Sequence, residues 1–139
     1  MNRRYFTLSE VNRMIPQLES RFRRMLQLHV QIRDIHARLT DLGYAPREED
    51  FSLVPEGAPF EVTQHLAELR ALIDALNADL ETLHAEGCVV KDIGSGLVDW
   101  YAKKDGRDVF LCWKLGEKSV DWWHELETGF SGRRPVSEL

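Results

Sequence analysis

Asp99, Cys112, Glu117 and His124 are the residues of this chain whose types could do chemistry together. They are two carboxylates, a thiol and an imidazole, set in the last third of the sequence among glycines and tryptophans. Each is a legitimate ligand for a divalent metal ion. Four residues separate Cys112 from Glu117 and six separate Glu117 from His124, which matches no standard zinc spacing, and a second Cys or His pair is missing. Asp99, Glu117 and His124, with Lys91 and Arg133, could form an acid–base pocket walled by Trp100, Trp113 and Trp123, where burial and charge shift pKa values. Neither Ser95 nor Ser131 has a nucleophile-elbow context, and Cys112 has no evident base in register. The glycines make neither a P-loop nor a dinucleotide fingerprint. A hydrogen-bonded, salt-bridged cluster that fastens the segment together needs fewer assumptions than catalysis. Arg133-Arg134 with Lys91 and Arg107 could bind a small anion. The candidate binding set is therefore Lys91, Asp99, Arg107, Trp113, Glu117, His124 and Arg133. The candidate metal set is Asp99, Cys112, Glu117 and His124, for an unspecified divalent ion.

Strands must position these groups. Val89–Ile93, Leu97–Ala102 and Arg107–Lys114 are rich in strand formers. Lys103-Lys104-Asp105-Gly106 is a turn signal, because Asp-Gly tolerates the positive φ of a tight hairpin. An even-numbered loop sets odd positions of one strand against even positions of the next. One face then carries Val98, Trp100, Ala102, Val109, Leu111 and Trp113, while the other carries Leu97, Asp99, Tyr101, Asp108, Phe110 and Cys112. Period-two alternation thus brings Asp99 and Cys112 together, away from the apolar face. After Gly116, Ser119 is expected to cap a short helix through Val120, Trp122, Trp123 and Leu126, which would swing His124 over the same edge. Arg133 is the expected counter-charge for Asp99 and Glu117.

Upstream, two apolar seams alternate steps of four and three: Leu18, Phe22, Met25, His29, Ile32, His36 and Leu39, then Val62, Leu66, Leu69, Ile73, Leu76, Leu80 and Leu83. Each is one face of an amphipathic helix. The expectation is two helices of equal length, 16–41 and 61–86, roughly 39 Å each, with Pro16 in a first turn and a separate short helix near Ser9–Met14. Gly43 and Gly87 stand where left-handed caps belong. Equal lengths and matched seams point to an antiparallel pair, and arginines in the first helix against acids in the second support the pairing. His29 and His36 are about 10.5 Å apart along the helix, too far to share a metal; the pairing would allow a His36–His65 contact, but polar seam residues more often fix register or serve as satisfied core groups. Leu28, Ile35 and Leu42 form a second stripe that asks for another element or subunit. The proline-rich connection 42–60 reads as a surface loop.

Bulk properties narrow the function classes. At 139 residues, 43% apolar and 29% charged, the chain fits one globular domain, 1–139, with a helical hairpin at 7–86 and a β unit with terminal helix at 87–139. Two cysteines fit a reducing compartment, and neither a secretory leader nor an apolar run long enough for a membrane span is evident, so the protein is expected to be cytoplasmic. The net charge of −5 divides into +5 over residues 1–40 and −10 over residues 41–139. That basic segment finds its complement inside the chain, so nucleic acid is not an expected partner.

The chain resembles a bacterial family catalogued as domain of unknown function 2203. The resemblance covers nearly the whole length and rests most firmly on Gly96-Leu97-Val98-Asp99, Gly106-Arg107, Leu111-Cys112-Trp113, Gly116-Glu117, Trp123-His124 and Gly129-Phe130-Ser131-Gly132-Arg133. Trp100 stands where the family tends to have phenylalanine, and Trp122 adds a second tryptophan before the Trp-His pair. The resemblance implies the helical pair, the β unit and a bacterial source, and it brings no activity, substrate or cofactor. The resulting expectation is an α+β fold: a long antiparallel helical hairpin packed with a small antiparallel β-sheet and a short C-terminal helix. Its function is read as a non-catalytic binding or interaction module with a polar site in the C-terminal motif, acting as a homodimer, with a small metal-dependent or acid–base enzyme using the Asp, Glu and His cluster as the alternative.

Overall fold

The computed structural model describes residues 3–45 and 56–139. Its elements are α1 (Leu8–Asp41), α2 (Phe60–Ala85), and five strands: β1 (Val89–Asp92), β2 (Leu97–Lys104), β3 (Arg107–Lys114), β4 (Trp122–Glu125) and β5 (Arg134–Pro135). Short 3-10 turns occupy Phe130–Gly132 and Val136–Glu138. The arrangement is α+β, two helices with a five-stranded antiparallel sheet. No helix among the described residues is long and apolar enough to cross a membrane.

The helices differ from the expectation in length, 34 against 26 residues. Pro16 is not in a first turn but inside α1, which absorbs the expected short helix. Thr7 and Glu10 start it as a capping box: Glu10 Oε1 accepts from the Thr7 N–H (2.9 Å) and Thr7 Oγ1 from the Glu10 N–H (3.2 Å). An interior proline costs roughly 3 kcal/mol. Burial of Val11 and Ile15 before it and Leu18 and Phe22 after it, all on one stripe, offsets that cost and keeps the helix continuous.

Two compact units share these helices, Met1–Arg24 with Leu80–Leu139, and Met25–Asp79. In the second, Leu39, Val62, Leu66 and Leu69 form a buried cluster, with Ile32, Ile35, Leu42, Tyr44, Ala58 and Ile73 packed against it. Two members of the second stripe, Ile35 and Leu42, thus find cover within their own hairpin. Arg38 donates to Glu61 at 2.8 Å, an ion pair that fits the antiparallel sense. His36 is exposed, and His65 lies 3.5 Å from Glu61 on its own helix. Gly43, at φ 83°, closes α1 with the Tyr44 N–H bonded to the Leu39 carbonyl at 2.8 Å. Of the connection 42–60, residues 46–55 lie outside the described residues.

In the first unit, the sheet follows chain order as a meander. Asp105 and Gly106, at φ 51° and 79°, make the two-residue turn between β2 and β3. The register is the expected one, with Asp99 opposite Cys112, Trp100 opposite Leu111 and Ala102 opposite Val109. Val98, Trp100, Val109, Leu111 and Trp113 are buried on one face, where Phe22 meets Trp113 edge-on at 6.3 Å. The segment expected to be a helix after Ser119 is instead strand β4, and the helical C-terminal element is the 3-10 turn further on. Ser119 Oγ donates to Asp121 rather than capping a helix. Two adjacent tryptophans suit a pleated surface: Trp123 enters the core at 0% exposure, and β4 occupies the open edge of β3.

Candidate functional site

Alternation places Asp99 on β2, Phe110 and Cys112 on β3 and His124 on β4 on the sheet face opposite Trp100 and Trp113. Phe110 lies opposite both Tyr101 and His124, so the imidazole reaches Asp99 across the central strand. Asp99 and His124 are each 1% exposed and Cys112 is 0%. The Phe110 ring packs on Tyr101 at 4.6 Å and on His124 at 5.5 Å. One ligand atom each from Asp99, Cys112 and His124 lies within 4.8 Å of the other two.

The two nitrogens of His124 have separate duties. Nδ1 is 2.7 Å from the Glu125 carbonyl, which can only accept, so Nδ1 carries a hydrogen. Nε2 is 3.0 Å from Asp99 Oδ2, and a proton must be shared there. Burial pulls the imidazole pKa down, but the bonds to Asp99 and to the Glu125 carbonyl outweigh it, and the net direction is up. One proton is therefore held between the imidazole and the carboxylate. Burial, then the neighbouring Asp99 charge, pushes the Cys112 thiol up, so it stays protonated at neutral pH. With both ring nitrogens engaged, His124 is not a base for Cys112, and nucleophilic catalysis by this thiol has no support in the geometry. Asp99 Oδ1 is buried with no hydrogen-bond partner.

Glu117 and Arg133 form a second group beside the first. Arg133 Nη2 donates to Glu117 Oε1 at 2.7 Å and to the Cys112 carbonyl at 3.4 Å. Glu117 Oε1 also accepts from the Lys114 N–H at 2.7 Å, and the Glu117 carbonyl accepts from Trp113 Nε1 at 2.8 Å. The cluster of Asp99, Cys112, Glu117, His124 and Arg133 is thus contiguous through the backbone of Cys112. It is divided in function, because the Glu117 carboxylate is committed to Arg133 and Asp99 to His124. Arg133 is the partner of one carboxylate, not two. Trp113 lies on the core face and only its indole N–H turns toward Glu117. Arg107 sits at the hairpin end, bonded to Glu125 at 2.6 Å, apart from the cluster.

Lys91 is exposed and lies over the Phe110 ring at 4.5 Å. Lys114 lies over Phe130 at 5.5 Å, and Arg133 over both Phe130 (4.7 Å) and Trp122 (5.2 Å). These rings under the cations are what the sequence reading missed. The signal was the strand alternation of Trp122 and His124, concealed by reading that segment as a helix.

An antiparallel sheet carrying a buried Asp–Cys–His group beside an Arg–Glu pair, joined to a long helical pair, defines an α+β protein with a polar sheet face. The chain belongs to the family described as uncharacterized conserved protein (DUF2203), whose model matches residues 4–136. No curated protein matches it. No solved structure matches it either.

Proposed function

We propose that the protein is a non-catalytic binding module whose ligand face is the polar side of the carboxy-terminal sheet, and that its ligand is a small anion. The observation that carries this reading is the row of cations on aromatic rings: Lys91 on Phe110, Lys114 on Phe130, and Arg133 between Phe130 and Trp122. A ring holds a cation in place without neutralising it, so the ammonium groups keep their capacity for a carboxylate or phosphate oxygen. Burial of Asp99, Cys112 and His124 favours binding over the enzyme alternative, because a substrate in solution meets almost none of their surface. A homodimer built on the helical pair and a cytoplasmic location belong to the same proposal. The two cysteines, both free and buried, support the location.

Calorimetric titration with inorganic phosphate, pyrophosphate and citrate tests the ligand face. Saturable binding of at least one is expected, weakened about tenfold in Lys91→Ala or Lys114→Ala, as loss of one charge-assisted hydrogen bond of roughly 1.5 kcal/mol implies. Saturable binding that both variants leave unchanged, or none with any of the three, refutes the proposal.

A further inference from the structure

Beneath that face, His124 Nε2 and Asp99 Oδ2 are 3.0 Å apart. Since Nδ1 is the donor to the Glu125 carbonyl, Nε2 without an added proton is a lone pair facing a carboxylate oxygen. Something positive must stand between them, either a proton or a metal ion. A histidine that donates one ring N–H to a backbone carbonyl and offers the other nitrogen inward has the orientation that metal-ligating histidines take. Asp99 Oδ1 is the second observation: it is buried, lacks a hydrogen-bond partner, and sits on the carboxylate that belongs to the three-donor group.

We propose that Asp99, Cys112 and His124 bind a divalent metal ion of the zinc class through one carboxylate, one thiolate and one imidazole. Zinc accepts this mixture of donors at about 2.0–2.3 Å. Tetrahedral neighbours around it stand roughly 3.3–3.8 Å apart, so donors already within 4.8 Å of one another need only small side-chain rotations. Asp99 Oδ1 supplies a fourth bond if the carboxylate binds through both oxygens. Glu117 is excluded from the ligand set because Arg133 and the Lys114 N–H hold it.

Charge balance favours the exchange. Without metal, the group holds one proton between His124 and Asp99 and a thiol at Cys112, with no net charge. Binding of a divalent ion releases the proton shared by His124 and Asp99 and the thiol proton of Cys112 to solvent. The site then holds carboxylate, neutral imidazole, thiolate and the ion, again with no net charge, so the buried group stays neutral throughout. Arg133 and Lys91 are the nearby cations that oppose an incoming ion. Glu117 neutralises the first, and the second stands above Phe110 at the exposed rim. A buried site without an open position is structural: it would pin β2, β3 and β4 together under the ligand face. This inference stands independently of the anion proposal.

Cobalt(II), added to metal-free protein during refolding and to the folded protein, reports thiolate coordination through an intense near-ultraviolet charge-transfer band. Stoichiometric binding with that band and with tetrahedral visible absorption is expected in the natural chain. Cys112→Ser should lose the charge-transfer band, and His124→Ala should lose stoichiometric binding. Should the His124 variant fail to fold, the natural chain still decides. Folded protein that shows no thiolate-to-cobalt band by either route overturns the site, as does a band that persists in Cys112→Ser.

Discussion

Asp108 accepts from Arg3 at 2.6 Å and from the Tyr5 hydroxyl at 3.1 Å, and Lys103 Nζ stands 2.7 Å away. Its side chain ties the amino-terminal segment to the β2–β3 hairpin. The Lys103 hydrogen bond first, then those of Arg3 and Tyr5, hold its carboxyl below the ordinary value of 3.8. A depressed folded-state pKa contributes stability that is fully present above the unfolded value and disappears as pH falls through the folded one. The urea midpoint of the natural chain should therefore decline as pH drops below about 4, and Asp108→Asn should make that decline shallower. Equal slopes for the two proteins would show that Asp108 is not linked to folding. At this scale the sequence disclosed that Asp99 and Cys112 share a face, since alternation alone requires it. It did not disclose which acid Arg133 serves, because that depends on how the tail after Gly129 returns across the Cys112 backbone.

The two helix ends offer a comparison between elements. Gly87 closes α2 at φ 95°, with the Cys88 N–H bonded to the Leu83 carbonyl at 3.0 Å, as Gly43 closes α1 at φ 83°. A Cβ at Gly43 meets nothing within 4 Å, whereas one at Gly87 would come within 2.4 Å of the Phe6 ring. Gly43→Ala should cost about 1–2 kcal/mol, the strain of a left-handed residue. Gly87→Ala should cost more, since Phe6, only 5% exposed, would also have to move. Chemical denaturation of the two variants measures the difference, and equal losses would mean that Phe6 yields freely. Helix ends were legible because capping is local chemistry. Strand β4 was not, because four residues rich in tryptophan satisfy a short helix or an edge strand equally well until β3 is there to pair with.

At the scale of the whole molecule, the charge division of the sequence is spent in part on specific pairs: Arg21 with Glu86, Arg38 with Glu61 and Arg3 with Asp108. Solvent screens pairs at the surface, so they select partners more than they stabilise. The proposed homodimer rests on apolar side chains that the described residues leave uncovered. Val30 is 51% exposed and Phe60 75%, while Leu28 is half-buried. Light scattering at micromolar concentration should return twice the chain mass. A value near 16.1 kDa would remove the dimer.

Periodicity and local chemistry determined, from the sequence alone, the two seams, the caps at Gly43 and Gly87, the Asp105-Gly106 turn and the pairing of Asp99 with Cys112. Each follows from intervals of a few residues, over which steric and hydrogen-bonding rules act without reference to the rest of the chain. Pro16 shows where that reasoning stops. Its local preference is for a first turn, yet burial of Val11 and Ile15 carries the helix through it. Tertiary structure likewise decided that Trp122–Glu125 is a strand, that His124 spends both nitrogens on Glu125 and Asp99, and that Glu117 belongs to Arg133. Those outcomes depend on which buried polar group is nearest when the sheet closes, and a buried group must take a partner from whatever the fold brings within reach.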